Sequence, residues 1–279
     1  MGEAIRAACA IGWPIKHSKS PIIHGYWIER HGIAGEYRLE EVKPDDFPDF
    51  IANLAAHGYV GCNITKPHKE VALALSEPDE RARAVGAANT LWLDNGHLRS
   101  TNTDVEGFIS SLDDSAPDWD TNLENAVVLG AGGAARAVVH GILERGAQNV
   151  HVVNRTLERA EAFRDQWGRR IHPACWDDLP GLLPGASLIA NATSLGMVGN
   201  PDLVLDLRDV GDDTVVADAV YTPLMTSLLR AANDRGLRYS DGLGMLLHQA
   251  GRPFELWWGV RPRVTPELRQ LVVRALNAN

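Results

Sequence analysis

The residues with the clearest chemical pattern are Gly130, Gly132 and Ala135, which follow the apolar run 126–129. Their spacing fits G-x-G-x-x-G/A, in which the first glycine makes a tight turn and the second lets the backbone approach a pyrophosphate at the helix N-terminus. Gly and Ala also crowd ordinary strand-to-helix turns. Here, however, a helical pattern over 134–144 and an alternating strand over 149–153 complete a βαβ unit. The stretch therefore predicts a dinucleotide site.

The end of the second strand of this unit indicates which dinucleotide binds. An NAD site has an acidic residue there for the ribose 2′-hydroxyl, whereas a 2′-phosphate requires that acid to be absent and an Arg to be near. The chain continues with Asn154, Arg155 and Thr156, and Arg159 follows one helical turn later. The two arginines could be a solvated helix start, but a planar guanidinium suits phosphate. The pattern favours NADP.

The lysines are few and clustered. Of the 27 basic residues only five are Lys, and four of these are Lys16, Lys19, Lys66 and Lys69. Lys can give up a proton and Arg cannot, so the clustering is consistent with a need for an amine, although chance explains it equally well. Lys69 also lies in the first turn of a helix that Pro67 opens, where a cation opposes the helix dipole. We interpret that position as functional rather than as part of a solvated face.

Other polar residues lie where elements meet. Ser18 and Ser20 precede a helix, and Ser20 could be its N-cap; two hydroxyls beside helix amides could also bind a carboxylate. Asn63 and Thr65 share one face at the end of a strand. Asp104 begins a helix, and taken alone it would be a cap or a first-turn acid.

Periodicity predicts an alternation of strands and helices, which is an α/β fold. We predict strands over 4–11, 37–42, 59–65, 188–193 and 215–220, a hairpin over 89–102, and helices over 21–31, 44–57, 78–85, 245–258 and 266–277. A glycine turn is predicted over 241–244. Strand ends in a parallel sheet face the ligand crevice, so Thr193 and Tyr221 are expected near substrate and nicotinamide.

Composition excludes several classes of function. The 279 residues, 45% hydrophobic, are enough for two domains, and a net charge of −9 argues against nucleic acid or an anionic membrane as partner. No signal peptide and no membrane-spanning run is evident, so we expect a cytoplasmic protein. The three cysteines are far apart and the ten histidines lack ligand spacing, so neither a disulfide framework nor a metal site is predicted.

Seven motifs occur in a characteristic order. They are Ser18-Lys19-Ser20-Pro21, Asn63-x-Thr65-x-Pro67-x-Lys69, Gly86-Ala87-Ala88-Asn89-Thr90, Asn102-Thr103-Asp104, Gly130-Ala131-Gly132-Gly133-Ala134, Asn154-Arg155-Thr156 and Asp241-Gly242-Leu243-Gly244-Met245. The set resembles the shikimate dehydrogenase family over nearly the whole chain. The resemblance implies reversible hydride transfer between NADPH and the ketone of 3-dehydroshikimate, giving shikimate. It also implies an α/β substrate domain (1–107 plus 241–279) and a Rossmann-type NADP-binding domain with a central parallel sheet (108–240).

The resemblance also assigns roles to individual residues. Catalysis falls to Lys69 and Asp104. Substrate contacts are expected from Ser18, Ser20, Asn63, Thr65, Lys69, Asn89, Asp104, Tyr221 and Gln249. Cofactor contacts are expected from Gly130, Ala131, Gly132, Gly133, Ala134, Asn154, Arg155, Thr156, Arg159, Thr193, Gly242 and Met245. The chemistry suits the pair, because an ammonium held by a carboxylate can donate a proton to the oxygen that becomes negative during ketone reduction.

Two other functions fit the same fold. One is a dehydrogenase that oxidises quinate with NAD, which an acid in place of Arg155 would favour. The other is a non-catalytic, NADP-binding regulatory protein, which loss of Lys69 or Asp104 would favour. The sequence has neither feature. It leaves open whether the protein is a monomer or a homodimer.

Overall fold

The computed structural model describes residues 6–278, which form two compact units. The first contains the residues up to Thr103 and those from Gln249 onward, and the second contains Asp104–His248. Each unit is built on its own sheet. The predicted domains, 1–107 with 241–279 and 108–240, assign substrate and cofactor binding to parts of the chain, and that assignment remains a prediction.

The first unit has a mixed sheet in the order β2, β1, β3, β5, β6, β4. Its strands are β1 (Arg6–Gly12), β2 (Gly35–Glu41), β3 (Tyr59–Ile64), β4 (Glu77–Pro78), β5 (Thr90–Asp94) and β6 (His97–Thr101). Strands β1, β2 and β3 are parallel, and β5 turns back antiparallel to β3, so that Asn63 lies opposite Thr90. The β5–β6 hairpin turns at Asn95 and Gly96, both with positive φ, as the Asn-Gly pair predicts.

Helices of the first unit come from both ends of the chain. They are α1 (Ser20–Arg30), α2 (Phe47–Ala52), α3 (Lys69–Ala74) and α4 (Glu80–Val85), with α11 (Gly251–Trp258) and α12 (Pro266–Asn277). Helix α11 packs on β3 and β5, and the Trp257 indole N–H donates to the carbonyl of Leu91 at 3.0 Å. The last part of the chain thereby joins the core of the first unit.

The second unit has an entirely parallel sheet in the order β12, β11, β10, β7, β8, β9. Its strands are β7 (Asn125–Leu129), β8 (Asn149–Val153), β9 (Ile171–Ala174), β10 (Leu188–Asn191), β11 (Val215–Asp218) and β12 (Arg238–Ser240). Its α-helices are α5 (Asp104–Ser115), α6 (Gly133–Glu144), α7 (Leu157–Trp167), α8 (Leu179–Leu182), α9 (Ser227–Asp234) and α10 (Gly242–His248). The Rossmann-type fold that we predicted is confirmed.

Both faces of this second sheet are covered. In β7, Ala126 and Val128 face one apolar core, whereas Val127 and Leu129 face another. A strand buried on both faces reads as a continuous apolar run, which is why the sequence 126–129 shows no polar alternation. The strand order reverses between β7 and β10, and ligands bind outside the carboxyl ends of the strands at such a switch point.

Several element limits differ from the predictions. The helix predicted over 245–258 is two helices, α10 and α11, separated at 249–250. The glycine turn predicted over 241–244 is wrong, because Gly242 begins α10 and the Asp241 carboxylate accepts the Gly244 N–H at 3.1 Å. A Cβ on Gly242 would lie 2.5 Å from the Ala219 carbonyl oxygen, so this glycine permits close packing rather than a turn.

Other predicted elements are shorter than expected. The helix predicted over 44–57 is reduced to α2, and the strands predicted over 188–193 and 215–220 end at Asn191 and Asp218. Both strands end because the side chain of the last residue accepts a hydrogen bond from the backbone N–H two residues later. Such local bonds replace the ladder of the sheet. Residues 4 and 5 of the first predicted strand lie outside the described residues.

Candidate active site

The hydroxyls predicted to bind a carboxylate lie at the N-terminus of α1. Ser18 Oγ donates to Ser20 Oγ at 3.1 Å and accepts the Ser20 backbone N–H at 3.3 Å. Lys19, rather than Ser20, is the N-cap residue, and its side chain makes no capping bond. Ser20 is therefore the first residue of the helix. The hydroxyls of Ser18 and Ser20 lie next to each other, beside the backbone amides of the first turn.

Asn63 and Thr65 lie at the carboxyl end of β3, as predicted. Asn63 is buried: its Oδ1 accepts the Tyr37 hydroxyl at 2.7 Å, and its Nδ2 donates to Thr90 Oγ1 at 3.2 Å. Thr65 is half-buried, and its backbone N–H donates to the Ile11 carbonyl at 2.9 Å. The partners from β2 and β5 hold the Asn63 amide in one orientation.

Asn89, just before β5, is the centre of a buried network. Its Oδ1 accepts the Thr103 backbone N–H at 2.7 Å and the Thr90 hydroxyl at 3.1 Å. Its Nδ2 lies 3.1 Å from Thr103 Oγ1 and 3.4 Å from Gln249 Oε1. The structure therefore brings together two predicted substrate ligands, Asn89 and Gln249, that are 160 residues apart in sequence.

Lys66 and Lys69 differ in environment. Lys69 is half-buried and is the first residue of α3, whereas Lys66 is exposed and lies outside the helix. The Lys69 backbone carbonyl accepts the Ala88 N–H at 3.0 Å, which ties the start of α3 to the segment before Asn89. Position therefore favours Lys69 over Lys66 as the functional amine.

Asp104 belongs to the second unit, where it is the first residue of α5. It is 7% exposed, so its carboxylate is largely removed from water. A carboxylate in the first turn interacts favourably with the helix dipole. The Asn102-Thr103-Asp104 motif thus directly follows β6, supplies Thr103 to the Asn89 network, and begins α5.

The glycine motif has the geometry that a pyrophosphate requires. Gly130 has a φ of +101°, and its N–H donates to the Val153 carbonyl at 2.8 Å. Gly132 is the N-cap of α6 without a side-chain capping bond, and a Cβ built there would meet no atom within 4 Å. Ala131, Gly133 and Ala134 are half-buried around this turn. The helix N-terminus therefore presents amides beside open space, which suits phosphate groups.

The residues predicted to recognise the 2′-phosphate follow β8. Asn154 donates from Nδ2 to the Thr156 carbonyl at 2.8 Å, so the side chain shapes its own loop. Thr156 is the N-cap residue of α7. Arg155 and Arg159 are exposed, and no carboxylate occurs in the segment 154–157. The segment fits a phosphate better than a ribose hydroxyl.

Thr193 and Tyr221 follow the ends of β10 and β11. Thr193 Oγ1 donates to Asn191 Oδ1 at 2.7 Å, and a Cβ on Gly130 would lie 2.9 Å from the Thr193 methyl group. Tyr221 is half-buried, and burial raises the pKa of its hydroxyl. Met245 is half-buried in α10 and packs against the core that contains Ala135.

Our sequence reasoning missed Asp218 and Asn191. Both are buried polar residues at the last position of an otherwise apolar strand, and they are directly aligned between β10 and β11. Burial raises the pKa of Asp218 to about 6, while hydrogen bonds from Val220, Thr226 and Asn191 oppose the rise. A polar residue at the end of an apolar strand was the available signal. It was missed because the strands were predicted two residues too long.

The described part of the chain has neither a metal-binding cluster nor a membrane-spanning helix. Within residues 6–278, no group of three or more His, Cys, Asp or Glu side chains is placed to hold a metal ion. In the same range, no helix is both long enough and apolar enough to span a membrane.

Family models match most of the length over which the motifs occur. A model of the shikimate dehydrogenase substrate binding domain matches residues 10–91, and a shikimate / quinate 5-dehydrogenase model matches residues 114–198. A shikimate dehydrogenase (NADP(+)) of Rhodopseudomonas palustris is 61% identical over 98% of both chains. The protein of that name from Afipia carboxidovorans is 62% identical over 95% of both chains.

Solved structures agree with these relatives. Shikimate 5-dehydrogenase from Thermus thermophilus, in complex with NADP(H) and shikimate, matches with a TM-score of 0.84 at 32% identity, over 98% of this chain and 100% of that one. Quinate dehydrogenase from Corynebacterium glutamicum, in complex with NAD, matches with a TM-score of 0.89 at 30% identity, over 97% and 99%. The fold alone therefore does not separate the two activities.

Proposed function

Because the chain belongs to the shikimate dehydrogenase family, we propose that it catalyses the reversible NADPH-dependent reduction of 3-dehydroshikimate to shikimate. It is an NADP-dependent oxidoreductase that acts on a CH–OH group. The observation that carries the proposal is the identity of about 60%, over nearly the whole chain, with shikimate dehydrogenases named for NADP(+).

The residues of the second unit fit this cofactor. The open N-terminus of α6 accepts a pyrophosphate, and Arg155 and Arg159 supply guanidinium groups where a 2′-phosphate would lie. NADP, when bound, supplies or accepts the hydride. Thr193, Gly242 and Met245 are proposed neighbours of its nicotinamide, and Asn154 and Thr156 shape the loop that carries Arg155.

The first unit supplies most of the proposed substrate contacts. Ser18 and Ser20 bind the carboxylate, with help from Tyr221. Asn63, Thr65, Asn89 and Gln249 bind ring hydroxyls and neighbouring groups. The hydrogen bonds of Asn63 and Asn89 support this role, because side chains that are already oriented lose little conformational freedom when a ligand binds.

Proton transfer is assigned to Lys69, with Asp104 as its catalytic partner. During reduction the carbonyl oxygen becomes negative, and Lys69 neutralises it and donates a proton; during oxidation Lys69 accepts the proton of the hydroxyl. The half-buried position of Lys69 at the start of α3, compared with exposed Lys66, supports this assignment.

Oxidation of quinate with NAD is the competing activity, because the Corynebacterium glutamicum structure has the same fold. Quinate is saturated and has an extra hydroxyl on the carbon that bears the carboxylate. A hydroxyl buried at the serine pair without a partner would cost about 1–3 kcal/mol, roughly ten- to hundredfold in kcat/KM. The lack of an acid in the segment 154–157 also argues against NAD.

Initial rates with shikimate and quinate, each with NADP and NAD, test the proposal. We expect the highest kcat/KM for shikimate with NADP, and at least tenfold lower values when either compound is replaced. Comparable values for quinate and shikimate would overturn the proposed specificity. Absence of oxidation of either alcohol with either cofactor would favour a regulatory protein.

We further propose that the protein acts in the cytoplasm as a monomer or homodimer, without nucleic acid or membrane partners. The net charge of −9 supports the absence of nucleic acid and anionic membrane partners, because it disfavours binding to polyanions. Light scattering coupled to size-exclusion chromatography separates the two oligomeric states.

A further inference from the structure

We propose that Asp218 is a positioning residue, whose buried carboxylate acts with Asn191 to hold the loops that carry Thr193 and Tyr221 in the arrangement needed for hydride transfer. The inference deepens the proposed function and rests on it. Asp218, Asn191 and the groups to which they are hydrogen-bonded all belong to the second unit.

The first observation is the alignment of Asp218 with Asn191. The two residues are direct partners at the ends of the parallel strands β11 and β10, and both are at most 3% exposed. Asn191 Nδ2 donates to Asp218 Oδ1 at 2.9 Å. The bond joins the ends of two strands beside the switch point of the sheet, where a bound ligand is expected.

The second observation is what Asn191 does with its remaining groups. Its Oδ1 accepts the Thr193 N–H at 3.0 Å and the Thr193 hydroxyl at 2.7 Å, and its Nδ2 also donates to the Leu195 carbonyl at 3.1 Å. Thr193 Oγ1 then accepts the Leu195 N–H at 3.0 Å. The 193–195 segment therefore takes its shape from one amide, which Asp218 orients.

The third observation concerns the loop after β11. Asp218 Oδ1 accepts the Val220 N–H at 2.9 Å, and Oδ2 accepts the Thr226 hydroxyl at 2.7 Å. Thr226 is the N-cap of α9 and accepts the Leu229 N–H at 3.2 Å. The carboxylate thus holds both ends of the segment 220–226, and Tyr221 lies within that segment.

The chemistry of position 218 explains why an acid is present. An ionised carboxylate only accepts hydrogen bonds, and the three groups around Asp218 are all donors. Asparagine at this position would place an N–H₂ group against one of these donors, so at least one of the three hydrogen bonds would be lost. A buried charge is costly, and the three donors offset part of that cost only while each stays in place around the carboxylate.

The test compares Asp218→Asn with the wild type and with Thr214→Val. Thr214 precedes the opposite end of β11, is buried, and donates to the Ala186 carbonyl at 2.6 Å, so its loss removes a comparable bond far from the proposed site. The wild type must first oxidise shikimate with NADP. If it does not, the proposed function fails. The positioning role is then tested by the affinities of Asp218→Asn for NADP and for 2′,5′-ADP.

Two measurements separate positioning from stability. We expect kcat of Asp218→Asn to fall at least tenfold, while its affinity for 2′,5′-ADP, which has the 2′-phosphate but no nicotinamide, stays within twofold of wild type. Affinity for complete NADP should fall more than affinity for 2′,5′-ADP. Thr214→Val should lower Tm and leave kcat unchanged. Unchanged kcat in Asp218→Asn, or parallel loss of 2′,5′-ADP binding, would overturn the proposal.

Asn191→Ala gives an independent test if Asp218→Asn does not fold. It removes the amide that holds Thr193 and leaves Asp218 bonded to Val220 and Thr226. The same selective loss of kcat and NADP affinity, with 2′,5′-ADP binding retained, is expected. Wild-type kcat and NADP affinity in this variant would contradict the proposed role of the pair.

Discussion

The proposed substrate residues of the first unit and the proposed nucleotide residues of the second unit are built differently. Asn89 and Asn63 are 2% and 8% exposed, and the structure itself uses their amides as hydrogen-bond partners. Gly132, Arg155 and Arg159 are exposed, and the glycine motif presents backbone rather than side chains. If these residues bind as proposed, ligand recognition and folding use the same groups in the first unit and largely separate groups in the second.

This difference has consequences for mutation. A change in the buried amides of the first unit should cost stability as well as binding, because their partners remain buried without hydrogen bonds. A change in the exposed arginines of the second unit should cost cofactor affinity alone, since surface substitutions usually alter stability by less than about 0.5 kcal/mol. Variants on each side of this contrast are therefore expected to differ in which property they lose.

Among the proposed substrate residues of the first unit, Lys69 is expected to differ from the buried amides. It transfers a proton, so its loss should lower kcat rather than stability. Lys69→Ala should lower kcat by about 10² to 10⁴ and change shikimate binding much less, since a general acid typically contributes that factor. Lys66→Ala is the matched control and should stay near wild type. Steady-state kinetics of both variants measure the effect. If Lys66→Ala proves to be the more damaged enzyme, the assignment is reversed.

Asn89→Ala measures the cost of disturbing the buried network. It leaves the Thr103 N–H and the Thr90 hydroxyl without their acceptor, and we expect a loss of about 2–4 kcal/mol in the free energy of unfolding. Asn154→Ala, on the cofactor side, removes one bond to the Thr156 carbonyl and should cost less than about 1 kcal/mol. Urea unfolding of both variants gives the comparison, and equal losses would remove the contrast between the two units.

Arg155→Ala tests the other half of the contrast. Loss of a charge-assisted phosphate contact should cost about 1.5–3 kcal/mol, or about ten- to hundredfold in NADP affinity, while NAD affinity and Tm change little. The ratio of KM for NADP to KM for NAD reports the effect. An unchanged ratio would mean that other residues hold the 2′-phosphate.

Asp218 is an exception to this contrast, because it belongs to the second unit but is buried and accepts three hydrogen bonds. Its pKa is raised from 3.8 to about 6, so the folded state holds the proton more tightly than the unfolded state. The stability that this group contributes is therefore present at low pH and is lost as pH rises through 6. Between pH 5 and 7.5 the wild type should lose about 1.4 kcal/mol relative to Asp218→Asn.

Urea unfolding of both proteins at the two pH values measures this difference, and contributions from all other groups cancel in the comparison. A constant difference between the two proteins would show that Asp218 does not titrate in that range.

Much of the architecture was predictable because it depends on neighbours in sequence. The strand over 149–153 and the helix over 266–277 were predicted to the residue, and the Asn95-Gly96 turn lies within the hairpin predicted over 89–102. Alternation, turn residues with positive φ, and Pro266 directly after Thr265, which caps α12, are local signals. The ends of β10 and β11 were missed although their signal is also local, because the polar side chain at the end of each strand accepts the backbone N–H two residues later.

The sequence by itself determined the tight turn at Gly130, the arginines after β8, the absence of an acid in the segment 154–157, and the position of Lys69 at a helix start. These features depend on residue type and on spacings of a few positions. Only the tertiary structure decided that Asp218 meets Asn191, that Asn89 meets Gln249, and that Gly242 begins a helix against Ala219. The physical reason is that strand register and close packing between segments far apart in the chain depend on the whole core, which no local pattern encodes.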